Sequence, residues 1–180
     1  RTVTVDSVAD LEGLPQDYID GHKPNADGKI ILTTDYPDSL PVFSYAKNEK
    51  LRKDMYFAYN NRAYPENVEV LNRLAQKRYE LSKLVGFDNY ADFVTADKMI
   101  GSAKNASDFI TKIVNAADER VKDEYQELLE RKRKDVPNAN KVNRWEQTYY
   151  TEVVSKESYN FDSQSVRPYY QYDKVKQGVL

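Results

Sequence analysis

Residues 65 to 87, PENVEVLNRLAQKRYELSKLVGF, place their apolar side chains at helical spacing between a proline and a glycine. Few folds accommodate such a stretch except as one well-bounded amphipathic helix. Pro65 suits a first helical position, where its missing N–H costs nothing, and Gly86 suits the left-handed residue that ends a helix. At about 100° per residue, Val68, Leu71, Leu74, Ala75, Leu81 and Val85 fall in one stripe. Glu69, Arg73, Gln76, Lys77, Glu80 and Lys83 lie opposite. The spacing predicts a helix over 66–85, with Leu71, Leu74, Leu81 and Val85 in a structural core. Arg78 sits at the centre of the same stripe and is placed with that core. Its guanidinium must either stretch out to solvent or meet a carboxylate inside.

Most of the chain has the same character. Asn48 suits the cap of a helix over 48–63, with Leu51, Met55, Ala58 and Tyr59 on one face and Pro65 forcing its end. Residues 11–20 read as a short helical turn entered through Pro15, and 40–47 as a short helix. Asp88 or Asn89 can cap another short helix carrying Tyr90, Ala91, Phe93 and Val94. A long helix over 103–134, spanning about 45 Å, carries a stripe from Phe109 through Ile113, Ala116, Ala117, Val121 and Tyr125 to Leu128. Its charged second half reads as a solvated face with i to i+4 pairs. After a break at 135–143, a helix over 145–157 places Trp145, Tyr149 and Val153 on one side. Asp162 caps the following turn, and a last helix begins near Tyr172 and reaches Leu180. The one strand signal is Lys29–Thr33, closed by Pro37. It finds no good partner in the chain, and the first residue is Arg1 rather than Met, so a piece of a longer protein is expected. Short connections point to one compact, mainly α unit over 1–180, a multi-helix array with one short strand.

Composition narrows the chemistry. With 27 Lys+Arg against 29 Asp+Glu the chain is nearly neutral, and no basic patch interleaved with aromatics favours nucleic acid. There is no cysteine, which removes disulfides, thiolate zinc sites and cysteine nucleophiles. No apolar run approaches the roughly 20 residues of a membrane span, and no signal peptide opens the chain. No membrane association is expected, and the cytoplasm is the expected compartment. The 15 tyrosines read as amphipathic helix-packing groups or as channel-lining ones. The single histidine, His22, lies in a Gly/Pro/Asn loop. It supplies neither a His-Glu-x-x-His pair nor, with a Gly-x-Ser-x-Gly elbow absent, a serine triad. No glycine-rich phosphate loop is present. Spacing alone therefore assigns no catalytic residue and no metal ligand, and leaves substrate-binding residues unassigned.

Two long blocks carry a resemblance. DGKIILTTDYPDSLPVFSYAKNEKLRKDMYFAYNNRAYPENVEVLNRLAQKRYELSKLVGFDNYADFVTADKM is similar to the middle region of the thimet oligopeptidase, neurolysin and oligopeptidase family of zinc endopeptidases. RWEQTYYTEVVSKESYNFDSQSVRPYYQYDKVKQGVL resembles the block that follows it there, and GSAKNASDFI fits the helix start between them. The resemblance runs from about Leu11 to Leu180 and is specific in combination. It implies a piece of a larger, two-lobed, zincin-like helical peptidase that encloses a deep channel, cleaves short peptides and holds zinc through His-Glu-x-x-His plus a downstream glutamate. None of those groups matches a position in this sequence, so no catalytic residue carries over. The expected role is scaffold and channel wall of a zinc metalloendopeptidase, inactive alone and completed by the remainder of the same polypeptide. The alternative is a non-catalytic helical interaction domain descended from such a peptidase.

Overall fold

The structure, a computed structural model, describes residues 1–179; the expected end of the last helix at Leu180 lies outside the described residues. The fold is mainly α. Strand β1 (Thr2–Val5) precedes a 3-10 turn (Val8–Leu11) and α1 (Gln16–Gly21). Strand β2 (Ile30–Thr33), α2 (Tyr36–Tyr45) and α3 (Glu49–Asn60) follow, then α4 (Asn67–Leu84), α5 (Tyr90–Thr95) and α6 (Ala103–Asp135). The chain closes with α7 (Arg144–Tyr159), a 3-10 stretch (Ser163–Tyr170) and α8 (Tyr172–Val179).

The strand expected to be alone is paired. β1 runs antiparallel to β2, with Thr2 opposite Thr33 and Val5 opposite Ile30. Val3, Val5, Ile30 and Leu32 point to one buried face. TVTV is short but has the alternation of β-branched and buried positions that a two-stranded ribbon needs. α2 also begins earlier than the apolar pattern suggests. Asp35 occupies its N-cap position and Pro37 its first turn, where a missing N–H removes no helical hydrogen bond, so Pro37 opens the helix as well as closing the strand.

The described residues divide into two compact units: residues 1–62 with 125–179, and Ala63–Glu124. In the first, β1 and β2 lie over α2 and α3, and α7 packs on both helices. Leu11, Ile30, Leu32, Val42, Ala46 and Met55 are wholly shielded from water at its centre. Asn48 caps α3 by accepting the Leu51 N–H at 3.2 Å. Gly13, at φ +94°, lies where a Cβ would overlap the Tyr45 carbonyl oxygen. Its loop can therefore join the end of α2 through the Lys47 N–H, which donates to the Glu12 carbonyl at 2.8 Å.

The second unit comprises α4, α5 and α6 as far as Glu124. α4 starts at Asn67, with Pro65 in the preceding turn, its carbonyl accepting the Val68 N–H. It ends as the glycine signals: Gly86 has φ +88°, its N–H donates to the Lys83 carbonyl and the Phe87 N–H to the Ser82 carbonyl, the paired bonds of a Schellman motif. The expected core stripe is uncovered, however. Leu71, Leu74, Leu81 and Val85 are 62%, 44%, 43% and 45% exposed, and Arg78 is exposed as well. Periodicity specifies which side chains share a face, but burial needs a second element of matching length. The six-residue α5 is too short to cover a stripe of five turns, and Ser82 is the one fully buried residue of the unit.

Candidate functional site

His22 is the natural place to look for chemistry, and the structure uses it up. Its Nδ1 lies 2.7 Å from the Tyr18 carbonyl oxygen and its Nε2 3.2 Å from Asp38 Oδ1. The ring stacks on Tyr18 with centroids 4.2 Å apart. The other Asp38 oxygen accepts the Thr33 N–H at 2.8 Å and the Thr33 hydroxyl at 2.7 Å. Burial opposes the charge on Asp38, but the Thr33 hydrogen bonds and His22 hold its carboxyl below the usual carboxylate range. The Tyr18 hydroxyl donates to the Asp38 carbonyl, and burial, then the Asp38 charge, push that phenol upward. These residues fasten α1, β2 and α2 together. Both imidazole nitrogens are already committed, and among the described residues no group of three His, Cys, Asp or Glu could hold a metal ion. The side chains present do not fit a catalytic zinc.

A second polar cluster holds α3, α6 and α7. Arg52, almost fully buried, donates from Nη1 to the Ala46 and Lys47 carbonyls at the end of α2. Its guanidinium lies 4.1 Å from the centre of the Tyr149 ring. Burial draws its pKa down, against the pull of Tyr149, Tyr150 and Glu146, yet an arginine stays charged at any ordinary pH. Lys132 of α6 donates to Glu146 Oε2 at 2.6 Å and to the Lys141 carbonyl at 3.0 Å. The same carboxylate oxygen accepts the Asn143 N–H at 2.7 Å. Burial first, then Asp135 and Glu146, push the Tyr150 hydroxyl up to about 12. None of these groups is a nucleophile or proton carrier open to a substrate.

Two of the surface recesses of the first unit lie against α7. An aromatic slot of about 200 Å³ is lined by Phe43, Tyr56, Tyr59 and Trp145, with Asn60 and Arg144 at its rim. Lys53 and Arg62 stand over the Trp145 and Tyr59 rings at 5.3 and 3.9 Å. A second recess of about 220 Å³ is lined in part by Tyr45, Glu152 and Ser163, where the Ser163 hydroxyl bridges the Tyr45 hydroxyl and the Glu152 carboxylate. The stripe residues Leu71, Leu74, Arg78, Leu81 and Val85 are brought together on one exposed face of α4. Arg78 finds the Tyr90 ring, 5.1 Å from its centroid, and no carboxylate among the described residues.

Lys132 and Glu146 escape a reading that assigns the charged end of α6 to solvent. One sequence signal existed: Asn143 followed three residues later by Glu146 is a capping box, which predicts that the glutamate folds back toward its own helix. Arg52 gave a weaker signal, sitting beside Leu51 one turn before Met55.

Comparisons with known proteins place these features in context. The model of Peptidase family M3 matches residues 42–180. Oligopeptidase A of Escherichia coli (strain K12) is 30% identical over 191 residues, which is 99% of this chain and 28% of that protein. The organellar oligopeptidase A (chloroplastic/mitochondrial) of Arabidopsis thaliana is 28% identical over 95% of the chain and 23% of its own length. Saccharolysin of Saccharomyces cerevisiae is 27% identical over 94% of the chain and 25% of its own length. The chain thus spans about a quarter of the length of the curated relatives it matches.

Proposed function

Because the chain belongs to Peptidase family M3, whose members are zinc-dependent in general, we propose that it is the scaffold and substrate-channel segment of a zinc metalloendopeptidase that hydrolyses short peptides. One observation carries this reading: the family match extends without interruption over 42–180, across both units. The names of the relatives point to oligopeptides as substrates. On this reading zinc and the groups that activate water on it belong to other parts of the longer polypeptide, since among the described residues no group of three His, Cys, Asp or Glu could hold a metal ion. What this segment contributes is shape. A wall that holds a peptide against a reacting centre matters steeply, because a displacement of about 1 Å can cost on the order of a hundredfold in rate. No helix of the described residues is long and apolar enough to cross a membrane, which suits the proposed cytoplasmic location. The relatives include both a probable cytosolic and an organellar oligopeptidase A.

The alternative, a non-catalytic interaction domain derived from such a peptidase, draws support from the uncovered face of α4. The deciding assay pairs a quenched fluorescent peptide with metal analysis on two proteins: residues 1–180, and the longest product of the gene that encodes them. Chelator-sensitive cleavage by the longer product alone is the expected result. Cleavage by residues 1–180 would place a catalytic site within this segment. A longer product that carries zinc yet leaves every short peptide intact would favour the interaction domain.

A further inference from the structure

The unit Ala63–Glu124 contains none of the buried apolar side chains of the described residues; all of them lie in 1–62 and 125–179. Its apolar residues are nevertheless organised. Beside the α4 stripe, α6 carries Ile110, Val114 and Val121 on one face with Phe109 and Ile113 adjoining, each more than half exposed. Scattered exposed apolar residues need no explanation, but contiguous stripes on two helices do. Isolated helices are marginal in water, and helices in proteins are held mainly by packing of an amphipathic face. The opposite faces already have their partners in solvent: Lys77 with Glu80, Lys104 with Asp108, and Lys122 with Asp118.

We infer that the stripes of α4 and of α6 up to Glu124 are docking faces for apolar helices from the remainder of the same longer polypeptide. This rests on the peptidase-segment reading above and names the partner of its scaffold. Three observations select that occupant. Nearly three quarters of the length of Escherichia coli oligopeptidase A lies outside the stretch this chain matches, which is ample material. The family match runs through both stripes, so they belong to the part shared with relatives and not to an appended module. Ion pairs within the helices flank them, Lys77–Glu80 on α4 and Lys104–Asp108, Arg120–Glu124 and Lys122–Asp118 on α6, and there is no basic excess to attract nucleic acid or an anionic lipid surface.

Hydrogen exchange with sedimentation tests this on residues 1–180 and on the longest gene product. In residues 1–180, a monomer is expected in which amides of 67–84 and 103–124 exchange at least about tenfold faster than those of α3 and α7. In the longer protein they are expected to be protected as strongly as α3 and α7. Leu74→Lys and Ile113→Lys are expected to abolish that protection, while Lys83→Glu, on the charged side, leaves it intact. Should the lysine variants of the longer protein fail to fold, Leu74→Met supplies the second measurement, with protection expected to persist. Protection in residues 1–180 that grows with concentration alongside a dimer would overturn the inference in favour of a second copy. Equal protection in monomeric residues 1–180 would overturn it, as would a gene product with nothing further to dock. Peptide cleavage is scored separately: an active longer protein with unprotected stripes refutes the docking alone, and an inactive one with protected stripes refutes the peptidase reading alone.

Discussion

Glu146 is 1% exposed and carries three obligations: the Lys132 ammonium, the Asn143 N–H and the start of its own helix. Removing it strands the ammonium, and an uncompensated buried charge costs about 3–5 kcal/mol. Urea unfolding followed through Trp145, which sits one residue away on α7, should therefore show Glu146→Ala destabilised by about that amount. Replacing both partners, Lys132→Met with Glu146→Leu, should recover most of the loss, because desolvating two charges consumes much of what their attraction returns. Full recovery is not expected. The leucine cannot accept the Asn143 N–H, and losing that half of the capping box costs about 1 kcal/mol. A double variant as unstable as Glu146→Ala would mean that the pair contributes net stability.

Among the elements, the local signals are those that survive into the structure. Asn48, Asn89 and Asp162 cap where their side chains predict, each accepting a backbone N–H two or three residues on. Asn48 does more, since its amide donates to Asp10 Oδ1 at 3.1 Å and so joins α3 to the 3-10 turn near the chain start. Asn48→Ala should cost about 1–2 kcal/mol in the same unfolding experiment, and Asn48→Asp less than Asn48→Ala, because the cap acceptor is kept while the amide bond is lost. What the sequence hid is non-local. β1 is four residues whose partner lies about thirty positions away, and nothing in TVTV announces which strand it joins. The register of the α4 stripe was legible from its 3.6-residue period; its burial was not, because periodicity describes a face and says nothing of the surface opposite. The candidate site divides the same way. The place of His22 in a loop was readable from its Gly/Pro/Asn neighbours, whereas the Arg52–Tyr149 contact depends on how α3 meets α7.

For the molecule as a whole, the apolar core lies within the first unit although that unit is built from two separated stretches. Every buried apolar side chain of the described residues lies in 1–62 or 125–179, so removing 63–124 deletes no buried apolar side chain. Replacing those residues with a Gly/Ser linker of about ten residues, which reaches roughly 16–19 Å on average, should leave a folded protein. Its circular dichroism should remain mainly helical, and Trp145 fluorescence should report one cooperative transition. The midpoint should match or slightly exceed that of residues 1–180: each halving of a closed loop lowers its entropic cost by about 0.6 kcal/mol, which for this shortening amounts to about 1.6 kcal/mol. Linkers of about 10, 20 and 30 residues would separate a span too short to close from a genuine dependence on the deleted unit. If all three unfold non-cooperatively, then α4 to α6 stabilise the first unit by a route other than shared burial, and the core assigned to residues 1–62 and 125–179 is not sufficient by itself.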